Sequence, residues 1–361
     1  MQTIMTVLGP IAPEALGFTS MHEHILCDLT SKWKQYGNKL PEDLQKLKEQ
    51  KVSLRTIGVL RKNPMVLIDN LLLDDVSVAA AEVTGYKAAG GSAILEMSVP
   101  GMRMNLAGLR QISQQTGVHI VLATGLYVEA SWPARFLEMT VEQLTDYMVK
   151  DVEVGLEGTG IKAGHVKAAA DDLSIREERS LRAAARAAVK TGLSLSVHPP
   201  LGFGGASLSI VAIVKEEGLS PDRLIMSHTD YSFIETNTRA LCTRPETWRL
   251  RLDCAKKLLD QGVTIALDGF GKDESTEIAG EGAQYDWQRF GGLLPLVEAG
   301  YSSQIVLGKD TAFKMELCAY GGEGYVHLCK SVVPALREYG VSDYDTRQMT
   351  VKNPARLLTR Q

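Results

Sequence analysis

Short apolar segments alternate with helical segments along almost the whole of the 361-residue chain. The apolar segments lack the alternation of half-exposed strands, which is typical of parallel strands covered by helices on both faces. Eight such strands are predicted, at 17–25, 92–99, 118–125, 163–168, 193–198, 224–228, 263–268 and 304–307. Helices are predicted at 75–87, 106–116, 141–155, 177–190, 207–217, 247–261 and 291–299. Eight such units predict a closed (β/α)8 barrel, the TIM-barrel fold of the α/β class, rather than an open doubly wound sheet.

No break in composition marks a second domain, so the predicted barrel spans residues 1–361 as a single domain. A polar, lysine-rich segment at about 30–64 interrupts the alternation, and we interpret it as a loop and short helix inserted after the first strand. No Gly-x-Gly-x-x-Gly motif follows the first strand, which argues further against a dinucleotide-binding fold.

Composition excludes several classes of function. The formal net charge of −4 leaves no basic stripe for nucleic acid, so a nucleic-acid partner is not expected. No apolar run approaches the roughly 18 residues of a membrane span, and the first residues do not resemble a signal peptide. The five cysteines are scattered and odd in number, which argues against a disulfide framework and for a reducing compartment. The sequence therefore predicts a cytoplasmic protein with no membrane partner and a small-molecule substrate.

Side chains that bind metals stand at the predicted strand ends, where the active sites of such barrels lie. The stretch His22-Glu23-His24 places two imidazoles on one side of a strand, because residues i and i+2 point the same way. The other strand ends add Lys167, His198, His228 and Asp310. Nitrogen and carboxylate ligands of this type suit zinc, or manganese, cobalt or iron.

The order of these residues resembles the phosphotriesterase family of the amidohydrolase superfamily. The similarity extends over nearly the whole chain and rests on His22-Glu23-His24, Ala163-Gly164-His165-Val166-Lys167-Ala168, Val197-His198, Ser227-His228 and Lys309-Asp310. The stretch Gly321-Gly322-Glu323-Gly324-Tyr325 is similar to the branch called phosphotriesterase-related proteins.

The resemblance implies a site for two divalent metal ions. His22, His24 and Asp310 would hold the more buried ion, and His198 and His228 the second. A lysine carboxylated by carbon dioxide bridges the ions in the family, and Lys167 stands at that place because it follows the Ala-Gly pair. Lys162, the competing lysine, precedes the pair. Some relatives carry a glutamate at the bridging position.

The implied chemistry is hydrolysis by a hydroxide that the two metal ions share, with Asp310 as the group that takes its proton and passes it to the leaving group. A carbamate on Lys167 would supply two oxygens and a negative charge, whereas an ammonium would be repelled by two dications. Carboxylation requires a neutral amine, which burial and nearby cations both favour.

Other polar residues near the strand ends are given structural or supporting roles. His119, His165 and His327 are interpreted as structural, with His165 also able to face the site because it alternates with Lys167. Asp268 or Asp230 is expected to accept a hydrogen bond from a ligand histidine.

The loops give a weaker indication of the substrate. Tyr127 stands where the family has a large aromatic wall, and Lys272, Lys309 and Lys314 are candidates to bind an anionic group. We expect a lactonase or carboxylic ester hydrolase, with phosphorylated sugar lactones among its substrates. The alternatives are an N-acyl amide hydrolase, a phosphotriesterase, or a non-catalytic ligand-binding protein on the same barrel. The family tendency suggests a homodimer.

Overall fold

Eight parallel strands form one sheet that curves around an aliphatic core in the computed structural model, which describes residues 2–200, 206–277 and 280–361. In chain order β1 to β8 are Thr19–Glu23, Ala93–Glu96, His119–Gly125, His165–Ala169, Leu195–His198, Leu224–Met226, Thr264–Leu267 and Ile305–Leu307. Each strand pairs in parallel with the next. The predicted (β/α)8 barrel is confirmed.

The chain just beyond β8 joins the sheet back to β1. The backbone amide of Asp310 donates to the carbonyl of His22 at 2.9 Å, and the amide of His24 donates to the carbonyl of Thr311 at 3.2 Å. The Glu23 carboxylate accepts from the amides of Lys309 at 3.2 Å and Thr311 at 2.9 Å. The closure therefore uses both backbone and side-chain hydrogen bonds.

Helices cover the outside of the sheet. Those between strands are Val76–Ala88, Leu106–Thr116, Val141–Glu153, Ile175–Thr191, Ala206–Glu216, Thr238–Thr243, Asp253–Leu259 and Asp286–Glu298. After β8 the chain forms π-helical turns at Leu328–Val332 and Gln348–Lys352 and helices at Val333–Glu338, Asp343–Arg347 and Asn353–Leu358. Within the described residues, no helix combines the length and the apolar character needed to cross a membrane.

The helix Ile175–Thr191 shows how the sequence sets these boundaries. Ser174 caps its start, where the side-chain oxygen accepts from the amide of Glu177. Gly192, with φ 69°, ends it in the left-handed conformation that glycine adopts at low cost.

The predicted helix at 247–261 is wrong in its first half. Pro245–Trp248 forms a 3-10 turn, and the helix starts only at Asp253. The reason is a tertiary hydrogen bond, since the amide of Arg251 donates to the carbonyl of Phe233 at 2.8 Å instead of to its own turn.

The segment between β1 and the first covering helix lies beside the end of the barrel where the strands finish. It contains short helices at Thr30–Tyr36, Glu42–Gln45 and Ile57–Leu60. A short antiparallel pair, Cys27–Asp28 with Leu72–Leu73, joins its two ends. A hairpin of Ile4–Thr6 and Gly9–Ile11 precedes β1.

Candidate metal centre

A cavity of about 450 Å³ opens at the carboxyl ends of the strands. Its wall includes all of the side chains predicted as metal ligands, namely His22, His24, Lys167, His198, His228 and Asp310. Strands β1, β4, β5 and β6 and the loop after β8 therefore bring together residues that are up to 288 positions apart in the chain.

The first group of ligand candidates has the spacing of a metal site. Asp310 Oδ1 lies 3.4 Å from His22 Nε2 and 3.2 Å from His24 Nε2, and Lys167 Nζ lies 3.2 Å from His22 Nε2. Ligand atoms at about 2.0–2.2 Å from a tetrahedral ion are themselves about 3.3–3.6 Å apart. These residues thus fit a first-row divalent ion.

The second group consists of His198 and His228. Their ring centres are 4.7 Å apart, and that of His228 is 4.9 Å from that of His22. The Nδ1 atom of His198 is buried and makes no hydrogen bond within the described part of the chain. Because an unpaired buried nitrogen is costly, this atom fits a role as a metal ligand.

Three of the four imidazoles are held in the neutral form that binds metals, whereas Asp268 raises the pKa of His228 in spite of burial. Burial, helped by Lys167, lowers the pKa of His22 to about 3, and burial lowers the pKa of His198 to about 4. The pKa of His24 is lowered by burial as well. A neutral imidazole has a free lone pair, so no proton must be removed before an ion binds.

Lys167 is almost completely buried, with 1% of its surface exposed. Burial lowers its pKa, which favours the neutral amine needed for reaction with carbon dioxide. The competing lysine, Lys162, precedes β4 and does not line the cavity in the described structure. The geometry therefore favours Lys167 as the bridging side chain.

Asp268, at the end of β7, connects the two groups. Its Oδ2 accepts from His22 Nδ1 at 2.7 Å, and its Oδ1 accepts from His228 Nδ1 at 2.8 Å and from the His228 amide at 2.9 Å. These distances leave no room for an ion between the atoms. Asp268 thus directs the Nε2 atoms of both imidazoles toward the cavity, as expected of a group supporting metal ligands.

Asp230 is the other carboxylate that was expected to support a ligand. Its Oδ2 accepts instead from Arg289 Nε at 2.9 Å and from the amide of Gly269 at 3.1 Å. It fixes the turn after β7 and reaches the histidines only through Asp268.

Ser98 and Glu96 support His24 and were missed by the sequence analysis. His24 Nδ1 lies 2.8 Å from Ser98 Oγ, which lies 2.5 Å from Glu96 Oε1. Burial raises the pKa of Glu96 to about 7. The available signal was a glutamate inside the otherwise apolar segment at 92–99, because a buried carboxylate requires a partner.

Two ligand candidates have strained backbones. His228 and Asp310 have φ values of 54° and 51°, in the left-handed region that non-glycine residues rarely adopt. Such strain is found where the surrounding structure imposes a geometry that function requires. The hydrogen bonds from the two amides, to Asp268 and to the His22 carbonyl, hold these turns.

Tyr127 and Lys272 line the cavity, as predicted for substrate-binding residues. The Tyr127 ring stands edge-on to His198, with ring centres 5.1 Å apart. Lys272 Nζ is already paired, at 2.7 Å from Glu316 Oε1 and 3.7 Å from Asp310 Oδ2. The contacts of Lys272 therefore indicate that it orients Asp310, whose other oxygen faces the histidines.

The structure places Lys309 and Lys314 elsewhere, which corrects their assignment to the mouth of the barrel. Neither lines the cavity formed by the described residues. Lys309 is fully buried, where its charge acts on the Glu23 carboxylate and opposes the rise in the pKa of that group that burial causes. Lys314 Nζ is held by Asp69 at 3.1 Å and Asp74 at 3.4 Å. We therefore leave both out of the substrate site.

The remaining histidines take structural positions. His165 Nε2 bonds Ser196 Oγ at 2.8 Å, and His327 Nε2 bonds Asp286 Oδ2 at 2.5 Å. His119, at the start of β3, is partly exposed. None of the three lines the cavity in the part of the chain that is described.

The inserted segment supplies cavity residues that the sequence analysis missed. Lys32, Gln35 and Tyr36, from the helix Thr30–Tyr36, face the cavity. Their positions i, i+3 and i+4 lie on one helical face, but nothing local in the sequence shows where that helix packs.

Comparison with known proteins gives matches over nearly the whole chain. The model of the phosphotriesterase family matches residues 2–358. An N-acetyltaurine hydrolase of Dictyostelium discoideum is 30% identical over 99% of this chain and 97% of its own. A phosphotriesterase-related protein of Drosophila grimshawi is 31% identical over 99% of both chains.

Solved structures with the same fold also match. A resiniferatoxin-binding protein from Rhodobacter sphaeroides has a TM-score of 0.88 and 32% identity, covering 99% of this chain and 94% of that one. A lactonase from Listeria monocytogenes has a TM-score of 0.76 and 26% identity, covering 99% of both chains.

Proposed function

Since the chain belongs to the phosphotriesterase family, whose named relatives include hydrolases, we propose that it is a binuclear metal-dependent hydrolase of carboxylic acyl bonds. The observation that carries the proposal is the convergence of four histidines, Lys167 and Asp310 on one cavity, in which His22, His24 and Asp310 have metal-ligand spacing.

His22, His24 and Asp310 would hold one ion, His198 and His228 the second, and carboxylated Lys167 would bridge them. Two divalent cations, when bound, polarise a carbonyl oxygen and lower the pKa of water so that hydroxide forms near neutral pH. Zinc suits these ligands, and manganese, cobalt and iron are the alternatives.

The side chains of the cavity have separate tasks in this proposal. Asp310 accepts a proton from the attacking water and delivers it to the leaving group. Lys272 keeps the Asp310 carboxylate in place, since its ammonium lies 3.7 Å from Oδ2. Tyr127 limits the space beside His198 and so orients the substrate.

Two kinds of carboxylic acyl bond are supported by the relatives. The N-acetyltaurine hydrolases favour an N-acyl amide, and the Listeria lactonase favours a cyclic ester, including the phosphorylated sugar lactones predicted from the sequence. Both reactions use the same attack on a carbonyl carbon, whereas a phosphotriester is the less supported substrate.

The test is turnover by protein reconstituted with zinc or manganese in the presence of bicarbonate. The panel contains N-acyl amino acids, N-acetyltaurine, lactones, phosphorylated sugar lactones, aryl esters and an activated phosphotriester. We expect hydrolysis of one carboxylic acyl class, and a loss of at least about 100-fold in kcat for Asp310→Asn.

A fully metal-loaded protein that binds members of the panel but hydrolyses none would contradict the proposal. That result would favour a ligand-binding role, for which the name of the Rhodobacter protein gives a precedent. Comparable circular dichroism spectra for the native protein and Asp310→Asn serve as the control for folding.

A further inference from the structure

Among the described residues, one lysine on the cavity wall, Lys32, forms no ion pair with a carboxylate. Lysine and arginine side chains on its wall are Lys32, Lys167, Lys272 and Arg289. Arg289 is paired with Asp230 at 2.9 Å, Lys272 with Glu316 at 2.7 Å, and Lys167 belongs to the centre itself. Among the residues that the structure describes, no carboxylate oxygen lies within 4.0 Å of Lys32 Nζ.

Lys32 is held in a defined place. Its Nζ lies 5.7 Å from the centre of the Tyr127 ring, and Lys167 Nζ lies 5.4 Å from the same centre. The ring of Tyr127 therefore lies close to both Lys32 and Lys167. The two lysine nitrogens are separated by no more than the length of a small organic molecule.

The environment keeps Lys32 charged. The nearby Tyr127 hydroxyl, together with Asp310, raises its pKa in spite of burial. A partly desolvated ammonium without a carboxylate partner is costly, and an anionic ligand would offset that cost. Gln35, from the same helical face, adds an uncharged side chain that can donate hydrogen bonds.

We propose that Lys32 binds an anionic group of the substrate, so that the enzyme selects small acyl compounds carrying a carboxylate, sulfonate or phosphate a few bonds from the acyl carbon. The inference rests on the proposed hydrolase function. It concerns the anionic group of the substrate, which the metal centre itself would not contact. Asp171 and Glu281 also line the cavity, and a preference for neutral or cationic substrates would show that they outweigh Lys32.

The experiment compares matched substrates that differ in one charge. The pairs are mono(4-nitrophenyl) succinate with 4-nitrophenyl butyrate, and N-acetylglycine with N-acetylglycinamide. We expect the metal-loaded protein to prefer the anionic member of a pair. In Lys32→Gln this preference should fall by about 10- to 100-fold in kcat/KM, mainly through KM.

Two further variants separate charge from structure. Lys34→Gln removes the same charge from the exposed side of the same helix and should leave the preference unchanged. Lys32→Arg retains the charge and should keep much of the preference. Calorimetric binding of glutarate to the metal-loaded protein should weaken in Lys32→Gln by a similar factor.

The outcomes distinguish the two claims. Absence of hydrolysis with every substrate would contradict the proposed function. Two other outcomes would overturn the role of Lys32 while leaving the hydrolase function intact. In the first, the native protein hydrolyses both members of a pair equally well. In the second, Lys32→Gln has the same substrate preference as Lys34→Gln.

Discussion

Single side chains outside the ligand set determine how the imidazoles of the centre are presented. Asp268 orients His22 and His228 through their Nδ1 atoms, and Ser98 contacts Nδ1 of His24. Each contact fixes the orientation of the imidazole ring and leaves its Nε2 atom facing the cavity. The affinity for metal should therefore depend on residues that would never touch an ion.

Ser98→Ala should weaken metal binding by about 10-fold, because His24 loses the partner of Nδ1 and Glu96 loses the hydroxyl that contacts its carboxylate. Metal retained after dialysis against graded chelator measures the effect. Ser113→Ala is the matched control, since it removes a buried hydroxyl that donates to the Val118 carbonyl far from the centre. Equal metal retention in the two variants would contradict the role of Ser98.

At the scale of elements, a charge network joins the helix Ile175–Thr191 to its neighbours. Glu217, just after the helix Ala206–Glu216, accepts from Arg182 Nη1 at 2.8 Å and from Arg186 Nε at 2.5 Å. The Glu217 side chain is 10% exposed, whereas that of the adjacent Glu216 is 63% exposed. The network therefore stabilises helix packing mainly through Glu217.

Glu217→Gln should lower the free energy of unfolding by about 1 kcal/mol, since two arginines lose a charged partner that is only partly screened by solvent. Urea unfolding followed by circular dichroism measures this change. The control, Glu216→Gln, removes a more exposed partner of Arg182 and should change stability by less than about 0.5 kcal/mol. A larger loss of stability in Glu216→Gln than in Glu217→Gln would show that Glu216 is the main stabilising partner of the arginines.

The elements also show which features of the fold can be predicted from the sequence. The barrel strands, and the position of the candidate ligands at their ends, were predictable because apolar segments and strand ends are local patterns. The start of the helix at Asp253 was not, since Arg251 bonds the distant Phe233 carbonyl. Lys309 and Lys314 were misplaced, and Lys32 was missed, because the packing of the loop after β8 and of the inserted helix depends on long-range contacts.

At the scale of the whole molecule, the same hydrogen bonds close the barrel and set the geometry of the candidate metal centre. Glu23, the last residue of β1, stands between the candidate ligands His22 and His24 and is not among the described residues that line the cavity. Its carboxylate accepts from Ser20 Oγ at 2.6 Å and from the amides of Lys309 and Thr311. The same bonds that join β1 to the end of β8 therefore place Asp310 opposite His22 and His24.

Glu23→Ala should lower the free energy of unfolding by about 2–4 kcal/mol, because three buried donors lose their acceptor. Measurement on chelator-treated protein separates this loss from any effect of metal binding. Glu23→Gln retains an acceptor oxygen and should recover part of the stability. Unchanged unfolding of Glu23→Ala would show that the backbone hydrogen bonds alone close the barrel.

In the proposed function, this barrel holds two metal ions bridged by Lys167. The most direct test is metal content per chain by elemental analysis, after reconstitution with zinc and bicarbonate and removal of free metal. We predict about two ions per chain in the native protein and fewer than one in Lys167→Met, with the Lys162→Met control unchanged. A native protein that retains no zinc would contradict the binuclear centre, and a Lys167→Met variant that still holds two ions would contradict the bridging role of Lys167.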